Sequence, residues 1–277
     1  MKIAIQGYPG AFHDIAARKY YDLEIDIVPA DTFEDVVAMV ENNEVADAGV
    51  MAIENSIGGS LMYNYNLLNQ SSLQIVGEIY LRIKQNLLVL PGTKIEDLKE
   101  VHSHSMAIAQ CKQFFKKYPE IKLVETKDTA ESARFVSEHG MKEIGALASK
   151  LAAEMYGLEV AVSGIEANRK NYTRFIILDH FMDAPTGTGF NKVSVSFAVS
   201  HEAGSLYLAL KGLAENKANM TKIQSAPIPG RPWEYLFFVD FLLEDPNQFG
   251  PIITSLSTTT KGLKILGKYM EGKHYEL

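Results

Sequence analysis

The sequence predicts an α/β protein built from two units. Over residues 1–180, short apolar runs that end in glycine or polar residues alternate with segments of helical spacing, which is typical of parallel βαβ units. Beyond residue 191 the order becomes strand, helix, strand, strand, helix, strand, as in a ferredoxin-like sandwich. Between the two units, residues 179–191 collect Asp, Pro, Gly and Thr without periodicity, which predicts a linker.

In the first unit, the apolar run KIAIQG predicts a strand and FHDIAARKYY the helix that follows it. The same order recurs three times: ADAGVMAI leads into ENSIGGSLMYNYNLL, EVHSHS into MAIAQCKQFFKKY, and EIGALAS into KLAAEMYGL. DTAE at residues 128–131 has the capping-box spacing and predicts a further helix N-terminus. In the second unit, KVSVSFAV, MTKIQSAPI, YLFFVDFLL and LKILGKYM predict strands, whereas GSLYLALKGLAENK and FGPIITSLSTTTK predict helices.

Composition argues against a nucleic-acid-binding, membrane-spanning or disulfide-stabilised protein. The 277-residue chain is 47% apolar and 22% charged, as in ordinary globular proteins, and its net charge of −7 favours neither nucleic acid nor an anionic membrane as a partner. The single cysteine, Cys111, excludes an intramolecular disulfide and fits a reducing compartment. No apolar run approaches the length of a membrane span, so we expect a cytoplasmic protein.

No cofactor is expected. GYPGAF follows the first strand but lacks the G-x-G-x-x-G spacing of dinucleotide loops, and no P-loop occurs. His102 and His104 lie two residues apart without matching cysteines or carboxylates, a pattern that favours polar residues at a strand end over a metal site.

Three junctions between a strand and a helix carry the polar residues of interest. They are Gly7 to Gly10, Glu54 to Ser56 and Ser103 to Ser105. Taken singly, each is better explained as a helix cap. Because helix N-termini bind anions and the carboxyl ends of neighbouring strands meet at one edge of a sheet, together they predict a cleft for a small carboxylate-bearing ligand.

A Thr-Arg pair precedes a strongly apolar run in NYTRFIIL. Thr173 and Arg174 are an alcohol and a guanidinium at the start of a predicted buried strand. The residues alone leave two explanations open: the pair caps the strand, or it faces a binding cleft.

The motifs GYPGAF, IENSIGG, SHSMAIAQC, GALASKLAAEMYGL and NYTRF, followed by GSLYLAL and TKIQSAP, stand in the order and spacing of a known family. On them the chain resembles monofunctional prephenate dehydratases that carry a C-terminal ACT regulatory domain. The resemblance implies a catalytic domain over residues 1–180, made of two lobes like a type II periplasmic binding protein. The chain would cross between the lobes near 77–85 and 160–175, and the ACT domain would cover 191–277.

The resemblance also implies a reaction and its residues. The enzyme would be a carbon-oxygen lyase that turns prephenate into phenylpyruvate in phenylalanine biosynthesis, without a cofactor. Thr173 would donate a hydrogen bond or relay a proton to the leaving hydroxyl, and Arg174 would clamp a carboxylate. Glu54 would be either a proton source or, as we favour, a structural partner of an arginine. The remaining substrate-binding residues would be Asn55, Ser56, Ser103, His104, Asn171 and Phe175.

Regulation by L-phenylalanine is implied as well, at an interface between paired ACT domains of a homodimer or homotetramer. Gly204, Ser205 and Leu206 would lie on one side of the effector, and Gln224, Ser225, Ala226 and Pro227 on the other. The last four replace the Glu-Ser-Arg-Pro of relatives. His13 stands in place of a usual serine, and Ala52 and Ser105 in place of usual prolines.

Two alternatives to the prephenate reaction remain open at this point. Arogenate dehydratase would use the aminated substrate. An inactive sensor that binds an amino acid or a carboxylate would rest on the C-terminal unit alone.

Overall fold

The computed structural model describes residues 1–21, 24–180, 189–228, 230–231 and 233–276. Within these ranges the fold is mixed α/β, with one sheet of eleven strands and one of five. Most of the predicted linker at 179–191 lies outside the described residues. No helix in these ranges is long and apolar enough to cross a membrane.

The chain starts in the larger sheet and builds its parallel part from successive strand-helix units. The elements are β1 (Lys2–Gln6), α1 (Phe12–Tyr21), β2 (Asp26–Ala30), α2 (Phe33–Glu41), β3 (Ala48–Asn55), β4 (Gly59–Ser60), α3 (Met62–Gln70) and β5 (Gln74–Arg82). β1 pairs in parallel with both β2 and β3. The predicted first strand and first helix are confirmed.

The smaller sheet follows directly. Its elements are β6 (Asn86–Val89), a 3-10 turn (Ile95–Asp97), β7 (Glu100–His104), α4 (Ser105–Phe115), β8 (Lys122–Thr126), α5 (Thr129–His139), β9 (Ile144–Ala148), α6 (Lys150–Tyr156) and β10 (Glu159–Ser163). The strand order is β10-β6-β9-β7-β8. The chain therefore leaves the larger sheet between residues 82 and 86 and returns to it between residues 163 and 172.

The strand β11 (Tyr172–Asp179) holds the Thr-Arg pair in the middle of the larger sheet. It runs antiparallel to β3 on one side and to β5 on the other, with Thr173 opposite Asn55 and Leu81. Because side chains alternate along a strand, Phe175 and Ile177 pack into one apolar cluster, whereas Ile176 and Leu178 pack into another. Both faces of β11 are thus buried, each against different neighbours.

The C-terminal unit has the predicted order of elements. These are β12 (Lys192–Ala198), α7 (Ser205–Glu215), β13 (Asn219–Pro227), β14 (Tyr235–Leu242), a 3-10 turn (Pro246–Gln248), α8 (Phe249–Thr259), β15 (Lys261–Tyr269) and a last strand, β16 (Lys273–Tyr275). Its strands are ordered β13-β14-β12-β15 and join the larger sheet where Gly267 of β15 pairs with Ile75 of β5. A side chain at 267 would lie 2.2 Å from the Ile75 carbonyl oxygen, so glycine permits this junction.

Candidate active site

A cleft of about 590 Å³ opens between the two sheets. The larger sheet and its helices contribute Gln6, Phe12, His13, Asp31, Thr32, Phe33, Ala52, Asn55, Thr173 and Phe175 to its walls, among others. The smaller sheet contributes His104, Met106, Ala107, Gln110, Lys127, Asp128 and Thr129. The helices α1, α2, α4 and α5 all begin at this cleft, so the positive ends of four helix dipoles face it.

Thr173 lies on the cleft wall, as the family resemblance implies, and is 8% exposed. Its Oγ1 accepts a hydrogen bond from Asn55 Nδ2 at 3.0 Å. Asn55 is itself held in place, because its Oδ1 accepts from the backbone N–H groups of Ile57 and Gly58 at 2.9 and 2.8 Å. Since the oxygen of Thr173 accepts from Asn55, the hydroxyl proton of Thr173 is left to donate into the cleft.

Arg174 corrects the sequence-based prediction. Its guanidinium does not face the cleft but lies on the opposite side of β11, 4% exposed, against the C-terminal unit. Its Nε donates to Glu78 at 2.6 Å, its Nη1 donates to Asp240, and its Nη2 donates to Tyr269 Oη at 2.9 Å. Consecutive residues of a strand point to opposite faces, so a threonine in the cleft requires its arginine neighbour to be outside it.

The cluster around Arg174 is electrically balanced and fully hydrogen-bonded. Lys192 Nζ donates to the other oxygen of Glu78 at 2.7 Å, and Ser194 donates to Asp240 at 2.6 Å. Burial acts to raise the pKa of Asp240, but the guanidinium of Arg174 and the hydroxyl of Ser194 together outweigh it and hold that pKa below its usual range. The cluster joins strands of the first unit to strands of the C-terminal unit.

Glu54 is the second correction, because its side chain lies on the same face as Arg174 rather than in the cleft. Its carboxylate contacts Lys222 Nζ of β13 at 2.9 Å, and the side chain is 37% exposed. A structural ion pair, the role favoured from the sequence, is what the geometry shows, although its partner is a lysine of the C-terminal unit and not an arginine. A catalytic contact is not made from this position.

The predicted substrate-binding residues divide into two groups. Asn55, His104 and Phe175 line the cleft, and His104 also caps α4 by accepting from Met106 N at 3.3 Å. Ser56, Ser103 and Asn171 do not line the cleft, contrary to the prediction.

Each of the three has its hydrogen bonds used elsewhere. Ser56 Oγ donates to Lys170 O at 2.9 Å, and the fully buried Ser103 donates to Leu147 O at 2.7 Å. Asn171 accepts from Asn55 Nδ2 at 2.8 Å and donates to Gln110 Oε1 at 3.0 Å. Asn171 therefore orients two residues of the cleft without lining it.

His13 and Ala52, two of the positions that depart from relatives, contact each other. The backbone N–H of Ala52 donates to His13 Nε2 at 3.3 Å, and the imidazole packs edge-on against Phe175 with ring centres 4.9 Å apart. A proline at 52 has no N–H to donate, so the histidine and the alanine form a matched pair. Burial lowers the pKa of His13 to about 3, which keeps the ring neutral at ordinary pH.

The charges at the cleft are few and mixed. Among the described residues that line it, Lys127 is the one lysine or arginine, and Asp31, Glu34 and Asp128 are the carboxylates. Asp128 caps α5 by accepting from Glu131 N at 2.9 Å, and burial raises its pKa. Gly7, at φ +93°, lies so close to Asp128 that a side chain there would come within 2.7 Å of the carboxylate. The loop after β1 thus packs directly against the start of α5, beside the smaller sheet.

The sequence did not single out Gln85, Gln110, Lys127 or Asp128 as site residues, although all four line the cleft. Gln110 and Asp128 stood inside motifs, one in SHSMAIAQC and the other at a capping box, but no property of an isolated glutamine or capping aspartate marks it as functional. Gln85 lies where the chain crosses between the sheets. The sequence predicted this crossing only to within residues 77–85.

The predicted effector residues lie in two separate places. Gly204, Ser205 and Leu206 line a cavity of about 580 Å³ at the start of α7, together with Trp233 and Tyr235. Gln224, Ser225, Ala226 and Pro227 belong to β13, the outer strand of the larger sheet. Gln224 Oε1 accepts from Ser60 at 3.2 Å, a contact within the same chain.

Comparison with known proteins identifies the family. The family model described as prephenate dehydratase matches residues 3–182. A bifunctional chorismate mutase/prephenate dehydratase of Buchnera aphidicola is 34% identical over 96% of this chain and 70% of its own length. Arogenate dehydratase 2 of Petunia hybrida is 36% identical, with coverages of 97% and 71%.

Solved structures agree with this family. A prephenate dehydratase of Arthrobacter aurescens in complex with L-Phe superposes with a TM-score of 0.86 at 25% identity, covering 98% of this chain and 90% of the other. A structure described as GqqA, a novel type of quorum quenching acylase, gives a TM-score of 0.88 at 33% identity and covers 98% of both chains. The chain belongs to the prephenate dehydratase family, and it is a lyase of aromatic amino-acid biosynthesis.

Proposed function

We propose that the chain converts prephenate to phenylpyruvate in the cleft between the two sheets. The observation that carries this proposal is the hydroxyl of Thr173, which lies on the cleft wall and accepts a hydrogen bond from Asn55. In that arrangement the hydroxyl proton of Thr173 can be donated to the ring hydroxyl of prephenate as it leaves.

The reaction needs a proton at one oxygen and no electrons from outside. The bond from the ring to its carboxylate breaks and carbon dioxide leaves. The electron pair of that bond enters the ring, which becomes aromatic as the carbon-oxygen bond to the ring hydroxyl breaks. The departing hydroxide takes up a proton and leaves as water. Thr173, held by Asn55, stabilises and protonates this oxygen, its own proton being replaced from water in the cleft.

Arg174 is not available to bind a carboxylate of the substrate. The cleft instead offers Lys127 and the positive dipole ends at the N-termini of α4 and α5, which attract anions. The apolar walls formed by Phe33, Leu61 and Phe175 suit the ring and favour loss of its carboxylate, because they leave the charge poorly solvated.

The test is direct. Purified protein is incubated with prephenate and, separately, with arogenate in buffer containing a chelator, and the products are identified by mass spectrometry. Phenylpyruvate from prephenate is the expected product. Phenylalanine from arogenate, formed faster than phenylpyruvate from prephenate, would assign the second activity. If neither substrate is converted, the inactive sensor that binds a carboxylate becomes the favoured hypothesis.

An acylase activity is a second candidate, because the similarity to the structure described as a quorum quenching acylase covers the whole fold. A hydroxyl nucleophile needs a neighbouring group that accepts its proton. The recorded partner of Thr173 is the Nδ2 of Asn55, which is a donor. The geometry therefore favours proton donation by Thr173 over nucleophilic attack, and incubation with an N-acyl amide should yield no free acid.

We also propose the domain assignment that the resemblance implies. Residues 1–180 form a catalytic domain whose lobes resemble a type II periplasmic binding protein, with the chain crossing between them near 77–85 and 160–175. These ranges include the passages between the two sheets at residues 83–85 and 164–171. Residues 191–277 form a ferredoxin-like ACT domain. The strand order β13-β14-β12-β15 with two helices supports the second assignment, and the shared sheet explains why the domains contact each other closely.

L-Phenylalanine is proposed as the effector, bound in the cavity at Gly204, Ser205 and Leu206. Two aromatic side chains there, Tyr207 and Trp233, are 67% and 75% exposed, which supports cover by a second copy of the chain in a homodimer or homotetramer. We also propose a cytoplasmic location, because the single cysteine fits a reducing compartment.

The regulatory proposal is tested on the full-length chain. Removing residues 191–277 would strip Asp240, Lys192 and Tyr269 from Arg174 and Glu78 and destabilise the catalytic domain. Millimolar phenylalanine is expected to lower the apparent affinity for prephenate by a factor of about 5 to 150, the usual range of allosteric coupling. An unchanged rate together with an unchanged oligomeric state would refute it.

A further inference from the structure

Gln85 carries a buried hydrogen-bonding group that the fold itself does not use. The residue is 3% exposed and lines the cleft, yet its side-chain Oε1 has no hydrogen-bond partner among the described residues. Buried polar atoms are paired in the great majority of cases, so an unpaired one beside a ligand cleft points to the ligand as its partner.

The backbone of Gln85 is fixed on both sides. Its N–H donates to Glu166 Oε2 at 3.0 Å, and its carbonyl accepts from Ile165 N at 3.0 Å. Both partners lie in the segment by which the chain returns to the larger sheet. The backbone of Gln85 is therefore held at the junction of the two sheets, which fixes the point from which its side chain extends to the cleft.

The next residue provides a comparison within the same segment. The amide of Asn86 is 2% exposed and has both ends occupied. Its Nδ2 donates to Ala148 O at 3.1 Å and its Oδ1 accepts from Ser163 Oγ at 2.8 Å. The two adjacent buried amides thus differ in their hydrogen bonding. The amide of Asn86 bonds to neighbouring strands at both ends, whereas the side-chain carbonyl oxygen of Gln85 has no partner among the described residues.

We propose that Gln85 is a substrate-binding residue whose side-chain carbonyl accepts a hydrogen bond from a donor group of the substrate. This inference rests on the proposed function. Prephenate with both carboxylates ionised has one O–H donor, its ring hydroxyl, and arogenate has that hydroxyl and an ammonium group. A contact to the hydroxyl would hold the leaving oxygen while it accepts a proton from Thr173. A contact to the ammonium would instead select arogenate.

The test compares kcat and KM of wild type, Gln85→Met and Gln85→Glu for both substrates. Methionine keeps the size and removes the acceptor, and a carboxyl group keeps an acceptor oxygen in either protonation state. The expected order of kcat/KM is wild type, then Gln85→Glu, then Gln85→Met, with Gln85→Met lowered by about 10-fold or more. A loss for both substrates assigns the hydroxyl as the donor, and a loss for arogenate alone assigns the ammonium.

Asn86→Ala is the matched control, expected to lower the melting temperature and leave kcat/KM within about twofold, whereas Gln85→Met should melt no lower than wild type. Unchanged kcat/KM in Gln85→Met overturns the inference. So does a Gln85→Glu protein that is worse than Gln85→Met on both substrates, because the amide N–H group would then be the one that binds a substrate carboxylate. Activity in wild type separates these failures from failure of the proposed function, and a wild type that converts neither substrate overturns both.

Discussion

The two faces of β11 differ in how their polar groups are used. On the face toward the C-terminal unit, Arg174, Glu78, Asp240 and Lys192 are all buried and each makes charged hydrogen bonds to another member of the cluster. On the cleft face, Thr173 retains a proton to donate and the nearby Gln85 retains an acceptor. Each charged group of the Arg174 cluster thus has a partner within the fold, whereas Thr173 and Gln85 keep hydrogen-bonding capacity that the described residues do not use.

This difference arises between consecutive residues. A strand sends Thr173 to one side and Arg174 to the other, so the proposed proton donor and the domain anchor are connected by a single peptide bond. Any movement of the C-terminal unit that shifts Asp240 or Tyr269 acts on the strand that carries Thr173.

The largest expected effect is on stability, from Arg174→Met. Removing the arginine leaves the buried Asp240 without a cation and Glu78 with Lys192 alone, which costs about 3–5 kcal/mol in the free energy of unfolding. Urea denaturation measures the loss. Arg169→Met, which removes an exposed arginine outside β11, is the control and should change stability by about 0.5 kcal/mol or less. A variant with wild-type stability and a raised KM would return Arg174 to the role of carboxylate clamp.

The next effect is on turnover, from Thr173→Ala. Loss of a positioned proton donor lowers kcat by about 100-fold or more. Thr173→Ser, which keeps the hydroxyl, should retain most of the rate, and both variants should melt near wild type because the residue lies at the cleft wall. Steady-state kinetics with melting curves distinguishes them. A folded Thr173→Ala enzyme with near-normal kcat would contradict the proposal that Thr173 donates a proton on the cleft face of β11.

The smallest effect concerns His13 and acid stability. Its pKa of about 3 in the folded state lies below the ordinary histidine value of about 6.5, so the unfolded chain binds more protons between these values. The stability that neutral His13 contributes is therefore present above about pH 6.5 and is lost as the pH falls toward 3. His13→Gln keeps an acceptor for Ala52 N–H and cannot titrate. Between pH 7 and 4.5, the melting temperature of wild type should fall further than that of this variant. An equal fall in both proteins would contradict a lowered pKa of His13.

The sequence by itself determined the alternation of strands and helices in the first unit, the order of the main elements of the C-terminal unit and the capping of α5 at Asp128. These follow from local periodicity, capping chemistry and motifs. It did not decide which side of β11 holds which residue. The run Phe175 to Leu178 is apolar on both faces, so no alternation of polar and apolar residues marks the cleft side.

Only the tertiary structure decided that Arg174 and Glu54 belong to the domain contact, because their partners, Asp240, Tyr269 and Lys222, are distant in sequence and reach them through the shared sheet. The pairing of His13 with Ala52 and the unpaired carbonyl of Gln85 were decided in the same way. Each depends on whether another segment brings a partner within hydrogen-bonding distance, and that is a property of the assembled chain rather than of any stretch of it.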